Sequence, residues 1–288
     1  MKNKFLSHFG FGLILLILIN AGCKKSDKID NKQVFKNEDL LEIKYADHPQ
    51  NSMDIYLPAK RTSSTPVILF IHGGFWFQGD KSMFTDLAKY MRDAGYVSAN
   101  INYRLTHSAE NNIHPAQVND IAKALGFLKS KASDYKISSS TYALLGASSG
   151  AHLAMLYTYQ DNQDNLIKTV VSMAGPTNFA DTRNANPLQA QVLEWFIGSS
   201  FQSNPAAYLQ ASPITHLSRT SKPTLIFHGK LDVVVPPQQS IDLKAKLDKF
   251  NVPNKLIVYD NVGHEFAGID KSPAFLAELE SWLAIHLR

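Results

Sequence analysis

Cysteine is almost absent: Cys23 is the only one in 288 residues, which excludes disulfides and cysteine-built metal centres from everything downstream of it. A long hydrophobic run is missing too. The apolar stretch Phe9 to Ile19 is far short of the roughly 20 residues a spanning helix needs. Charge of one sign is also lacking. The formal net charge is +4, of which Lys2 and Lys4 supply two. Lys24, Lys25, Lys28 and Lys32 against Asp27 and Asp30 supply the other two, so the remainder is near neutral. No basic stripe argues for nucleic acid. No internal repeat is apparent. What is present, 44% hydrophobic and 19% charged residues, suits one large soluble domain.

Residues 1–22 read as a signal peptide: a lysine-bearing start, then the short apolar core. Asn20-Ala21-Gly22-Cys23 resembles a bacterial lipobox, although leucine is usual where Asn20 stands. The expectation is an exported lipoprotein anchored in a bacterial membrane through a diacylated Cys23, at the periplasm or cell surface, with no other membrane contact. An ordinary secretory signal with an incidental cysteine is the alternative. Residues 23–39, polar and charged over 24–37, read as a tether.

Residues 40–288 read as one α/β domain. Leu41–Tyr45 and Met53–Leu57 are strand-like and flank a hairpin-type connection at His48-Pro49-Gln50-Asn51. Beyond them, strand patterns near 67–71, 96–102, 141–145, 169–174, 224–228 and 255–260 alternate with helical ones. The helical patterns cover Ser82–Ala94, Pro115–Ser130, Ser149–Tyr159, Gln238–Phe250 and Pro273–Leu287. That alternation predicts a mostly parallel central sheet flanked by helices. From about 176 to 222, after the sixth strand, no strand is predicted. Leu188, Val192, Trp195 and Phe196 fall there at helical spacing. A small helical cap over the active-site edge and simple packing of these aromatics on the sheet are both open readings.

Chemistry concentrates where the strands end. Gly146-Ala147-Ser148-Ser149-Gly150 follows the apolar run Tyr142–Leu145 and precedes the helix-forming Ala151–Leu156. Gly-x-Ser-x-Gly alone is a weak signal, but strand, tight turn and helix are the context in which it presents a nucleophile, here Ser148. His72-Gly73-Gly74-Phe75-Trp76 follows Val67–Ile71, a run with the pattern of a strand buried on both faces. Backbone N–H groups of Gly74 and Phe75, with that of Ser149, are the candidate oxyanion hole, and Gly73 is the fallback. His72 is read as a loop hydrogen-bonding residue. Asp232 follows Thr224–Phe227 and is the candidate acid, with Asp260 as runner-up; His264 follows Leu256–Tyr259 in a loop bearing Asn261 and Gly263. His286, on a helical pattern, is read as surface or packing.

These residues carry a family resemblance over roughly 40–288. In the order Ser, Asp, His the chain resembles the α/β-hydrolase esterase/lipase family, and in His72-Gly73-Gly74-Phe75-Trp76 its bacterial HGGxW branch. That branch includes acetyl-xylan and feruloyl esterase-like proteins and the arylformamidases. Asn102-Tyr103-Arg104-Leu105, His114-Pro115-Ala116-Gln117 with Asp120, and Ala211-Ser212-Pro213-Ile214 recur there in similar contexts. The resemblance implies Ser148, Asp232 and His264 as catalytic triad and a structural Arg104–Asp120 ion pair. Phe75 departs from the third glycine of the hormone-sensitive-lipase relatives, and Ala151 from a common second glycine.

The expected function is a serine carboxylesterase acting on short-acyl or aryl esters, on a small molecule or a carbohydrate, through an acyl-enzyme and with no cofactor or metal. An aryl-formamide hydrolase or exopeptidase on the same fold, and an inactive surface binding lipoprotein, are the alternatives. Phe75, Trp76 and Phe77 crowd the oxyanion loop, which predicts a short acyl slot. The amides and charges Asp181, Arg183, Asn184, Asn186, Gln189 and Gln191 argue against a lipase lid.

Overall fold

The strands in chain order are β1 (Glu38–Lys44), β2 (Ser52–Leu57), β3 (Val67–Ile71), β4 (Val97–Ile101), β5 (Tyr142–Ala147), β6 (Ile167–Met173), β7 (Thr224–Gly229) and β8 (Asn254–Tyr259). They form one sheet in the order β1-β2-β4-β3-β5-β6-β7-β8. β1 and β2, and β2 and β4, pair antiparallel; every other neighbour is parallel. The computed structural model describes residues 36–106, 112–181, 187–265 and 269–287. The signal peptide, Cys23, most of the tether, and Arg183, Asn184 and Asn186 lie outside the described residues. Among those described, no helix is long and apolar enough to cross a membrane.

The sheet is mostly parallel because helices cover both its faces, so its central strands read as unbroken apolar runs. β3 is buried along its whole length. Its Val67, Leu69 and Ile71 face one core, with Val118 and Ile121 of α2 (Ala116–Ser130), Leu153 of α4 and Leu243 and Leu247 of α7. Here α3 is the single turn Ala132–Tyr135, α4 is Ser149–Leu156 and α7 is Gln238–Lys249. Ile68 and Phe70 face the other core, with Leu87 and Met91 of α1 (Thr85–Asp93) and Phe275, Leu279 and Leu283 of α8 (Pro273–His286). The helix start at α8 is conventional: Ser272 Oγ accepts from the Phe275 N–H and Pro273 fills the first helical position.

Three details differ from expectation. β1 begins at Glu38, inside the stretch read as tether, because its charges have partners on the domain: Glu38 accepts from Arg61 at 2.5 Å and Asp39 from Arg92 at 2.6 Å. Exposed, charged β1 is thus a protected sheet edge. The helix after Ser149 stops being α at Leu156 and continues as a wider π turn, Tyr157–Asp161. There Thr158 Oγ1 donates to the Ala154 carbonyl at 2.7 Å, competing for the group an α-turn would use. Third, Leu188 is 68% exposed, although Val192 and Phe196 of the same helix are buried.

That helix is α5 (Pro187–Ile197), followed by α6 (Pro205–Gln210) and the 3-10 turn Pro213–His216. The segment after the sixth strand is therefore helical, and its aromatics also pack inward. Phe196 stacks on Trp76 at 4.6 Å between centroids, and Phe179 meets Trp76 edge-on at 5.6 Å. Both readings of 176–222 hold, since the rings that seat the segment lie beside the sheet's carboxyl edge.

Candidate active site

At the end of β5 the backbone turns at Ser148, with φ 52° and ψ −120°, straight into α4. A non-glycine residue there is strained, and neighbouring glycines make the turn feasible. A Cβ on Gly146 would sit 2.4 Å from the Gly150 carbonyl, and one on Gly150 only 2.0 Å from the Ile71 carbonyl oxygen. The Ser148 N–H donates to the Met173 carbonyl at 2.8 Å, which ties the turn to the neighbouring strand β6.

Two other strand ends bring the partners. The Ser148 hydroxyl lies 2.9 Å from His264 Nε2, and His264 Nδ1 lies 2.8 Å from Asp232 Oδ2. Asp232 offers only acceptors, so His264 Nδ1 carries the hydrogen and Nε2 is left to accept from Ser148. The other carboxylate oxygen, Oδ1, accepts from the Val234 and Val235 N–H groups at 2.9 and 2.8 Å. Burial pushes this carboxyl upward. Hydrogen bonds from His228, His264 and the Val235 N–H outweigh that and hold Asp232 well below the usual carboxylate range. Asp260 does not take part; it pairs with Lys230 at 2.9 Å on the exposed side of the loop.

The glycine loop after β3 crosses directly over the turn. A Cβ on Gly73 would lie 3.3 Å from the Ser148 Cβ. Gly74, Phe75 and Trp76 all have positive φ, at 121°, 55° and 63°. The Gly73 N–H points at Met83 Sδ, 3.4 Å away, whereas those of Gly74 and Phe75 meet no protein acceptor among the described residues. His72 donates from Nδ1 to the Gly73 carbonyl at 2.7 Å and stacks on Tyr103 at 4.4 Å, the loop role expected of it.

Behind the loop sits His152, one helical turn beyond Ser148 and fully buried. Its Nε2–H donates to the Ala211 carbonyl at 2.7 Å, and its Nδ1 accepts from the Trp76 indole at 3.2 Å. Its ring stacks on Phe179 at 4.6 Å. Burial drives its pKa down to about 3, against the pull of the Ala211 carbonyl, so it is a neutral packing and hydrogen-bonding group.

A cavity of about 240 Å³ opens onto Ser148 and Ser149. Phe75, Trp76 and Val192 are among its apolar lining, with Asn178, Glu194 and Gln202 among its polar walls. Phe77 is turned elsewhere, toward the rings of Phe75 and Trp195 at 6.0 and 5.6 Å. Away from the cavity, Arg104 Nη2 holds fully buried Asp120 at 2.8 Å, the structural pair expected. His286 packs on Trp282 at 4.1 Å. Among the described residues no group of three or more His, Cys, Asp or Glu side chains is arranged to hold a metal.

The sequence reading passed over three contributors. His228 and His152 each stand four residues from a selected residue, a spacing that puts them on its side of a turn or helix. Gln239 left no such signal: its Oε1 accepts from the Thr177 and Asn178 N–H groups at 2.9 and 2.8 Å, fixing the cavity wall.

Sheet order, strand-turn-helix and the chain order of the site residues define an α/β-hydrolase fold of the esterase type. The BD-FAE family profile matches residues 53–247, and the chain belongs to that family. A probable carboxylic ester hydrolase, LipM, of Mycobacterium tuberculosis is 29% identical over 69% of this chain and 49% of its own length. This chain spans about half the length of the curated relatives it matches. Among solved structures, a truncated carbohydrate esterase from gut microbiota superposes with a TM-score of 0.78 at 24% identity, over 88% of this chain and 97% of that one. A bifunctional GH43-CE protein of Bacteroides eggerthii reaches 0.77 at 25% identity, over 85% of this chain and 35% of its own.

Proposed function

We propose that this protein is a serine carboxylesterase for short-acyl or aryl esters, with an ester on a carbohydrate as the favoured substrate class. The observation that carries the proposal is the hydrogen-bonded chain from Ser148 through His264 to Asp232 at the mouth of a small, mostly apolar cavity. Ser148 Oγ attacks the ester carbonyl as its proton passes to His264 Nε2, and Asp232 stays anionic while it steadies the imidazolium. The N–H groups of Gly74, Phe75 and Ser149 receive the oxyanion. Collapse of the tetrahedral intermediate returns the proton to the leaving alcohol. Water then repeats the sequence on the acyl-enzyme and releases the acid. The cavity's rings and amides support a sugar or phenolic group, and one structural neighbour is named a carbohydrate esterase.

The test is a fluorophosphonate probe with acetylated, feruloylated and formylated substrates. The wild type labels and hydrolyses esters, and Ser148→Ala loses both; a related triad loses about 10⁶ in kcat without its nucleophile. Undiminished labelling of Ser148→Ala would move the role to Ser149. Membrane attachment through a diacylated Cys23 is the accompanying proposal, supported by the leader and its single cysteine. Membrane-fraction recovery of wild type, and its loss for Cys23→Ser, is the expected result; a free Cys23 thiol in soluble wild type overturns it.

A further inference from the structure

The Asp232 carboxylate has a second histidine against it. His228 stands one residue before the end of β7, is fully buried, and places Nε2 3.2 Å from Asp232 Oδ2, the same oxygen that His264 uses. That nitrogen also lies 2.8 Å from the Val235 carbonyl. Both neighbours are acceptors only, so Nε2 must carry a hydrogen and share it between them. On the other side of the ring, Nδ1 lies 2.6 Å from the hydroxyl of Ser240, which is buried on α7. His228 therefore links a rigid helix to the acid through a ring that has only one orientation satisfying all three partners.

We propose that His228 is a positioning residue for ester hydrolysis: anchored by Ser240, it fixes the rotamer of Asp232 and draws electron density from the oxygen that receives His264 Nδ1–H. The proposal rests on the serine-hydrolase reading above. Its physical basis is geometric. Two backbone N–H groups hold Oδ1, while Oδ2 meets His264, whose ring itself depends on Asp232 for its orientation; His228 supplies a fixed point on Oδ2 that is independent of His264. The charged and titratable groups facing this carboxylate are His228 from β7 and His264 from its loop. Lys230 and Asp260, the next ionisable groups along those loops, are exposed and satisfy each other.

Removing the His228 donor has two consequences of different kinds. Asp232 can swing, and misplacing a reacting group by about 1 Å costs on the order of 10² in rate. The carboxylate also becomes a stronger base toward His264, which stabilises the imidazolium and moves the acid limb of kcat/KM to higher pH by about half a unit. A purely architectural residue would lower the amplitude and leave the limb where it was.

The experiment compares wild type, His228→Leu and His228→Gln on p-nitrophenyl acetate from pH 5 to 9, with fluorophosphonate burst titration to count competent sites. His228→Leu is expected to lose about 10²-fold in kcat per competent site, with KM within about two-fold, and to show the raised limb. The glutamine amide again offers N–H hydrogens to Asp232 and Val235, so it returns the limb to its wild-type position and recovers most of the rate. Should His228→Leu not fold, Ser240→Ala gives the same direction with a smaller loss, about three-fold, by freeing the ring. Wild-type kcat and limb in His228→Leu, or in Ser240→Ala where that variant stands in, overturn the proposal. So does a rate loss with an unmoved limb. A wild-type protein with neither label nor turnover fails earlier and differently, because it removes the serine-hydrolase reading itself.

Discussion

The two regions that meet at Ser148 are held by different forces. On one side Ser148, Asp232 and His264 stand at the ends of β5 and β7 and in the loop after β8, joined by hydrogen bonds of 2.8–2.9 Å that end on the Asp232 carboxylate. On the other, Trp76, Phe179 and Phe196 are held by ring packing around neutral His152. Charge-assisted hydrogen bonds are directional and change steeply with small displacements. Ring packing is broad, and it tolerates substitution so long as volume is kept. On the function proposed above, chemistry falls to the stiff side and selectivity to the side that can vary.

The largest effect belongs to the charged side. Asp232→Asn preserves shape but offers His264 an amide, which favours the wrong tautomer; the equivalent change in a related triad costs about 10⁴ in kcat. Steady-state kinetics on a short ester checks this, with circular dichroism to establish that the fold is kept. A loss under tenfold would break the comparison, because the acid would then be only another packing residue.

Next comes the turn itself. Gly150→Ala drives a methyl to 2.0 Å from the Ile71 carbonyl oxygen, a backbone atom that cannot step aside without disturbing β3. Destabilisation of about 3 kcal/mol is expected from such overpacking, read as a lower urea midpoint, together with loss of fluorophosphonate labelling. Ala151→Gly nearby is the control: a labelled, active protein of somewhat lower stability.

The difference between the two sides also governs what could be read from the sequence. The strand-borne side is written locally: Val67–Ile71 and Tyr142–Leu145 are unbroken apolar runs because both their faces are buried, and Gly146 and Gly150 stand where side chains would collide. Ser148 and His264 could be chosen on such signals, and Asp232 preferred over Asp260 by its place after a buried strand. The ring-packed side is written in contacts between distant residues. Trp76 meets Phe196 120 positions later, and no local pattern announces that. Helical spacing at 188, 192, 195 and 196 correctly gave a helix, yet exposed Leu188 shows that spacing alone does not say which rows are covered. Gln239 escaped notice for the same reason, since its partners Thr177 and Asn178 come from a distant segment, whereas the signal of His228 was its spacing of four from Asp232.

His152 sharpens the contrast through pH. The unfolded chain protonates it near 6.5, while the native state keeps it neutral down to about 3. Between those values the unfolded state binds the extra proton, so stability falls as pH falls through this window. At pH 5 the penalty is about 2 kcal/mol, from 1.36 kcal/mol per unit. His152→Gln cannot titrate. Urea titrations at pH 7 and pH 5 should therefore show wild type losing about 2 kcal/mol more than the variant over that interval. Acid-sensitive groups remote from His152 act alike in both proteins and cancel. Equal losses would mean that His152 exchanges protons with solvent and that the aromatic cluster around it is open.

The smallest expected effect is the one that tests selectivity. Phe75 lines the cavity beside Ser148, and its backbone sits at φ 55°, a conformation glycine adopts freely and phenylalanine does not. Phe75→Gly therefore removes the ring and relieves backbone strain together, while the residue-75 N–H remains in the chain to meet an oxyanion. Rate on acetate should change little. Longer chains should gain, because each further methylene that becomes buried is worth about 0.8 kcal/mol, close to four-fold in kcat/KM. The measurement is kcat/KM across p-nitrophenyl esters from acetate to decanoate for both proteins. In wild type acetate or butyrate leads, since steric exclusion by the ring has to overcome the gain from each methylene. In the variant the optimum moves to longer chains. The Phe77 ring, 6.0 Å from that of Phe75, can lean into the space, so Phe75→Gly with Phe77→Leu should move the optimum further than Phe75→Gly alone. A wild-type optimum already at long chains would place the acyl group against the apolar wall near Val192 instead, and would make the ring at position 75 a floor under the substrate, not a stop at its end.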